Sequence, residues 1–187
     1  ACTLEPAQQI YAIDTAPIPA AVETAPMTGT GDKADDPAVW VNWADPTGSL
    51  ILGTNKDEGL HVYNLSGEEL QFLDVGRVNN VDLRGNLAVA SNDETNSVSW
   101  FAIDPATATV SHIGDTPTTK DEPYGICAGL LDEVFYAMPT YKDGLVQVWA
   151  APEDKVAEGV DLVAEIQVGQ FGKRQLEGCV FDEANDQ

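Results

Sequence analysis

Lys56, Asp93 and Lys142 occupy one position of a segment that recurs three times. The copies read Asn55-Lys56-Asp57-Glu58-Gly59-Leu60-His61-Val62-Tyr63, then Asn92-Asp93-Glu94-Thr95-Asn96-Ser97-Val98-Ser99-Trp100-Phe101, then Tyr141-Lys142-Asp143-Gly144-Leu145-Val146-Gln147-Val148-Trp149, with one residue inserted in the second. In each copy a turn carries the charged residue and a strand follows. If the three turns point at one axis, the lysines converge there, and convergent ammonium groups make an anion site.

What must position them is a repeated β unit. A short apolar strand precedes each turn: Leu50-Ile51-Leu52, Leu87-Ala88-Val89-Ala90 and Glu133-Val134-Phe135-Tyr136-Ala137. A period of roughly 40 to 50 residues built from short strands is the signature of a β-propeller blade. The first blade is expected from Pro37 to Val75, the second from Asn80 to Ile113 and the third from Tyr124 to Val168. A fourth begins at Leu176-Glu177-Gly178-Cys179-Val180-Phe181-Asp182. Turn signals at Asp45-Pro46-Thr47-Gly48, Ser66-Gly67, Arg84-Gly85-Asn86 and Lys142-Asp143-Gly144 fall where hairpins need them. Little of the chain has a 3.6-residue apolar period, so helix should be scarce. Residues 1–33, rich in Ala, Pro and Thr, read as an extended lead-in to a partial propeller over 34–187.

Composition narrows the partners. The 187 residues hold 31 acids against 9 Lys plus Arg, a formal charge of -22. Sequence-independent nucleic-acid binding runs on basic patches and is argued against. The acids are dispersed among alternating strands, which suits a solvated acidic surface or cation binding better than a disordered tail. No apolar stretch approaches the roughly 20 residues of a membrane helix. Ala1-Cys2 has the form of a lipoprotein cleavage site, or else of an arbitrary boundary, and the expected location is secreted, periplasmic or outer-membrane lipoprotein. Cys127 and Cys179 lie among apolar residues and are expected to be buried free thiols, with no pairing assignable.

Asp35-Asp36-Pro37-Ala38-Val39-Trp40, Gly53-Thr54-Asn55-Lys56 with Gly59-Leu60, Asn79-Asn80-Val81-Asp82-Leu83-Arg84, Ala90-Ser91-Asn92, Tyr124-Gly125 and Glu177-Gly178 occur in the order and approximate spacing of the β-propeller phytases, and the chain resembles that family over nearly its whole length after the lead-in. The resemblance implies an all-β fold, a six-bladed β-propeller of which this chain covers about three blades and the start of a fourth. It implies a calcium-dependent 3-phytase activity, removing phosphate from myo-inositol hexakisphosphate (phytate) or other inositol phosphates by water attack at a multi-calcium site.

Carried over residue by residue, the resemblance makes Asp35, Asp36 and Glu177 ligands of Ca²⁺, and Lys56, Lys142 and Tyr124 contacts to substrate phosphate. Asp82 and Arg84 take structural roles first, and no catalytic residue is assigned. Calcium also fits the charge argument, because it takes six to eight oxygen ligands and can bridge carboxylates to a polyanion that the acidic protein would otherwise repel. Two departures stand out. Asp93 replaces the arginine expected after Ala-Ser-Asn, a repelling charge unless Asp93 is itself a calcium ligand. The acids that the family draws from later blades lie beyond Gln187, so these residues alone should not complete the calcium cluster. The alternative is a non-catalytic, incomplete propeller that binds calcium and phytate in a tandem-domain phytase, partnered by a second propeller domain or another copy of the chain.

Other phosphatase chemistries lack their residues. The positions six after Cys2, Cys127 and Cys179 are Gln8, Glu133 and Asn185, so there is no C-x5-R loop. His61 and His112 are the only histidines, in unrelated contexts, too few for a dinuclear iron or zinc centre.

Overall fold

A computed structural model describes residues 18–28, 30–31, 33–169 and 175–183 of the chain. Cys2 and residues 184–187 lie outside the described residues. Twelve strands form three antiparallel four-stranded sheets in chain order. The first holds β1 (Ala34–Trp40), β2 (Leu50–Asn55), β3 (Gly59–Asn64) and β4 (Glu69–Asp74). The second holds β5 (Val78–Arg84), β6 (Leu87–Asn92), β7 (Ser97–Asp104) and β8 (Thr109–Pro117). The third holds β9 (Ile126–Leu131), β10 (Val134–Pro139), β11 (Leu145–Pro152) and β12 (Asp161–Gln167). Helix among the described residues is confined to 3-10 segments at Pro46–Gly48 and Glu153–Glu158.

These are blades of a β-propeller. The first strands β1, β5 and β9 lie side by side near the axis, and each sheet runs outward from there. Alternation along a strand sends neighbouring side chains to opposite faces, and β6 shows what that does. Ala88 and Ala90 face the core shared with the first blade, beside Trp40, Leu52, Leu60, Val62, Val81 and Phe101. Leu87 and Val89 face the core shared with the third, beside Val98, Trp100, Phe135, Ala137 and Trp149. Small residues on one face and larger ones on the other let the blades approach. Phe101 and Phe135 are fully buried, and truncating either to Ala should cost about 3–5 kcal/mol. The outermost strands are largely exposed, as β12 illustrates, where Val163 and Ile166 lie open beside Asp161, Glu165 and Gln167.

Turn chemistry follows the glycines. Gly59 and Gly144 have φ of +147° and +90°, and a Cβ at either would meet backbone oxygen, 2.0 Å from Leu73 and 2.5 Å from Val168 respectively. Gly59 opens β3 and Gly144 directly precedes β11, each closing a turn that carries Lys56 or Lys142, so the glycines set the backbone that aims the lysines.

The segment 175–183 has no strand partner of its own, yet it lies where an innermost fourth strand belongs. Phe181 stacks on Tyr136 with ring centroids 5.6 Å apart, Glu183 accepts from Leu130 N–H at 3.2 Å and pairs with Arg84 Nε at 2.7 Å. Cys127 and Cys179 are joined by a disulfide, Cα atoms 5.5 Å apart, which overturns the expectation of free thiols. The bond ties the first strand of the third blade to the segment entering the fourth.

Candidate functional site

The axial end of the blades is built from bulges. Between Ala34 and Pro37, Asp35 and Asp36 oppose the single residue Thr54, and between Val78 and Val81, Asn79 and Asn80 oppose Ser91. A bulge leaves one residue unpaired and re-aims its side chain. The hydroxyl opposite each bulge supplies the missing hydrogen bond: Thr54 Oγ1 accepts from Asp36 N–H at 2.9 Å and Ser91 Oγ from Asn80 N–H at 3.2 Å. Each hydroxyl then donates to the next blade, Thr54 to the Asn79 carbonyl at 2.5 Å and Ser91 to the Tyr124 carbonyl at 2.6 Å. Thr140 does the same to the Leu176 carbonyl. These three hydroxyls fix the rotation from blade to blade. Sequence reasoning missed them, although all three sit two residues before Lys56, Asp93 and Lys142.

On this frame the expected residues meet in groups. Lys56 Nζ lies 2.9 Å from Asp35 Oδ1. Tyr124 donates its hydroxyl to Glu177 Oε1 at 2.7 Å, and Lys142 Nζ sits 4.5 Å from the centre of the Tyr124 ring, a cation–π contact. The bond to Glu177 and then burial hold the Tyr124 phenol above its ordinary pKa, and the phenol also feels the charges of Lys56 and Asp35. Residues of the first blade, the third blade and the segment 175–183 therefore share one face. Gly125 makes the approach possible, because a Cβ there would lie 2.1 Å from the Glu177 carbonyl oxygen.

Asp36 has a different role from its neighbour. Its Oδ2 accepts from Val81 N–H at 3.1 Å in the second blade, as Asp82 Oδ2 accepts from Ala128 N–H at 2.8 Å in the third. Burial pushes the Asp36 carboxyl above its ordinary range despite the bonds from Val81 and Asn80. Desolvation of this kind is relieved by a cation, which makes Asp36 a fitting oxygen donor. Asp82 Oδ1 also pairs with Arg84 Nη1 at 3.0 Å.

Asp93 keeps the place of Lys56 and Lys142 and is met by a cation. Arg77 Nε lies 3.2 Å from Asp93 Oδ1, although that oxygen receives no hydrogen bond among the described residues. The contact is charge pairing without a well-aimed N–H. Among the described residues no group of three or more His, Cys, Asp and Glu has the arrangement to hold a metal ion. Asp35, Asp36, Asp93 and Glu177 are thus individual oxygen donors at one end of the propeller, and the chain's described part does not assemble them into a closed ligand set.

Behind the face runs a polar relay that the strand pattern concealed. Asn55 Nδ2 meets His61 Nε2 at 3.3 Å, and His61 Nδ1 meets Glu69 at 2.9 Å. In the second blade Asn92 donates to Ser99 at 3.1 Å and Ser99 to Asp115 at 2.6 Å. In the third Tyr141 donates to Gln147 Oε1 at 2.8 Å, and the Gln147 Nδ-equivalent amide, Nε2, donates to Glu165 at 2.8 Å. Each relay satisfies buried polar groups just under a turn. His112 instead lies near the surface, 3.1 Å from Asp115.

A cavity of about 690 Å³ lies at the other end of the same strands, lined by Asn86, Leu87, Asp132, Glu133, Glu153 and Asp154 among others. Its carboxylates would repel a phosphate ester, and none of the axial residues lines it.

The family described as Phytase matches this sequence over residues 1–184. The chain belongs to the phytase family. A 3-phytase of Bacillus subtilis is 33% identical over 184 residues, covering 89% of this chain and 47% of the relative. This phytase-family chain therefore spans about half the length of that curated relative. Solved structures share the fold alone: a periplasmic gluconolactonase of Pseudomonas aeruginosa superposes with a TM-score of 0.52 at 18% identity, over 70% of this chain and 39% of that one. A Bacteroides fragilis protein described as a 6-phosphogluconolactonase candidate gives 0.53 at 16% identity, over 70% and 38%.

Proposed function

We propose that this chain forms the substrate-holding part of a calcium-dependent 3-phytase, which hydrolyses phosphomonoesters of myo-inositol hexakisphosphate by attack of water. One observation carries the reading: Lys56, Lys142 and Tyr124, from two different blades, share a face with Asp35 and Glu177. Two ammonium groups and a phenol on one end suit a ligand with several phosphates. Lys56 and Lys142 would donate charge-assisted hydrogen bonds to phosphate oxygens, and Tyr124, held by Glu177, would supply a neutral donor or a wall. Calcium bound at Asp35, Asp36, Asp93 and Glu177 would supply the positive charge that lets an acidic protein accept a polyanion. The remaining oxygen ligands would come from further propeller blades, a second domain or another copy of the chain.

The disulfide supports export, since such bonds persist in oxidising compartments; a secreted, periplasmic or lipid-anchored bacterial protein fits. Asp93 favours a second reading, capture of calcium and phytate without turnover, because it places a carboxylate where its repeat partners have lysines.

Phosphate release from phytate by the purified chain, with calcium or with EDTA, separates the two when run beside calorimetric titration of phytate. Calcium-dependent release establishes the enzyme. Binding without release makes the chain a capture module, and neither result removes both readings.

A further inference from the structure

Three cations lead into the blades, and they do not pair alike. Lys33, before β1, pairs with Asp57 at 2.6 Å, and Lys120, before β9, pairs with Asp143. Asp57 and Asp143 are the second residues of their turns. These pairings hold the entering cation to one side and leave the first turn residues, Lys56 and Lys142, for the axial face. In the second blade the order changes. The first turn residue is Asp93, and it is Asp93 that draws the entering cation, Arg77.

The backbone confirms that Arg77 stands where Lys33 does. The Lys33 carbonyl accepts from Lys56 N–H at 3.0 Å, and the Arg77 carbonyl accepts from Asp93 N–H at 3.0 Å. The two positions are repeats of each other, so the difference lies in where their side chains go. Lys33 is turned toward the far side of its turn, whereas the Arg77 guanidinium comes within 3.2 Å of the side chain that replaces the repeat's lysine. Its side chain is 51% exposed. Because Asp93 Oδ1 receives no hydrogen bond, charge pairing holds the guanidinium in place without using its aimed N–H donors, and a guanidinium has five.

We infer that Arg77 is the phosphate-binding cation of the second blade, delivered across the strand by Asp93 to the place that Lys56 and Lys142 fill in theirs. Every blade then offers one cation at the axial end. A planar fork suits two oxygens of one phosphate better than an ammonium does. Asp93 guides the guanidinium and masks part of its charge in the free protein. The inference rests on the proposed phytate binding and adds the residue that completes the cationic ring.

The test is calorimetric titration of phytate into the full chain and its Arg77→Gln, Arg77→Lys, Asp93→Asn and Lys56→Gln variants, with the Arg77→Gln/Asp93→Asn pair. Arg77→Gln is expected to weaken binding about tenfold, close to Lys56→Gln, since one charge-assisted hydrogen bond is lost. Arg77→Lys should recover part of that loss. Asp93→Asn removes at once the guide, a repelling carboxylate and a proposed calcium oxygen, so the readout is the coupling: its effect on affinity should change when Arg77 is already Gln. Melting temperatures within a few degrees of wild type exclude misfolding, which the exposure of Arg77 leads us to expect. If Lys56→Gln weakens binding while Arg77→Gln does not, or if Asp93→Asn has the same effect with and without Arg77, the assignment to Arg77 is overturned and phytate binding stands. If the wild-type chain binds no phytate, both fall.

Discussion

The hydroxyl of Tyr124 donates to Glu177 Oε1 at 2.7 Å across 53 residues of sequence, joining the edge of the third blade to the segment that enters the fourth. The bond gives Glu177 a fixed place beside Lys142 and the Tyr124 ring. Tyr124→Phe removes the donor and leaves the ring. Phytate affinity should fall about three- to tenfold, the worth of one hydrogen bond in a partly exposed site. Calorimetry reads this directly, and an unchanged affinity would remove Tyr124 from the site.

The Cys127–Cys179 bond is expected to matter for both stability and binding. In the chain-entropy description, closing a loop across 52 residues stabilises by about 4 kcal/mol. Reduction, or the Cys127→Ala/Cys179→Ala pair, should therefore lower the melting temperature and also weaken phytate binding by releasing Glu177. A melting temperature insensitive to reductant counts against the bond.

Asp36 should respond to pH and to calcium in opposite senses. Its folded-state pKa is raised above the ordinary 3.8 by burial, so the folded protein holds this proton more tightly than the unfolded chain. Stability from this group is complete below the ordinary value and is lost as pH rises through the elevated one. Asp36→Asn in EDTA should therefore match wild type at acid pH and melt higher at neutral pH. Adding calcium should raise the wild-type melting temperature and affect the variant less. A wild type that is the more stable of the two in EDTA at neutral pH contradicts this account.

Tyr141 sets an alkaline limit. Burial pushes its phenol up to about 12 from 10.0, and its hydroxyl donates to Gln147. Above pH 10 the unfolded chain loses this proton and the folded chain keeps it, so stability drains away as pH rises toward 12. Tyr141→Phe should cost about 1–3 kcal/mol at neutral pH and lack that alkaline component, which urea unfolding at stepped pH will show.

The propeller was readable because strands of period two are separated by turns whose glycines cannot be replaced, as at Gly59 and Gly144. The repeat also brought Lys56, Asp93 and Lys142 into register. What stayed hidden depends on partners distant in sequence. Cys127 and Cys179 look like two apolar-flanked thiols until the third blade folds between them. Arg77 looks like a solvated turn residue, since its place follows from which carboxylate wins it. His61, Ser99 and Gln147 fall in strands where a polar residue reads as surface; groups on both neighbouring strands satisfy His61 and Ser99, and Tyr141 before β11 and Glu165 on β12 satisfy Gln147.

The covalent loop from Cys127 to Cys179 contains almost all of β9 to β12. Tension drawn along the chain would pass through the sulfur bridge and go around the third blade. With the bridge intact, the first two blades can be pulled out to full contour length while the chain of the third stays slack within its loop. Reduction would release roughly 180 Å of hidden length at about 3.4 Å per residue, so a single molecule stretched under oxidising and reducing conditions would report the bond as a difference in how far it extends.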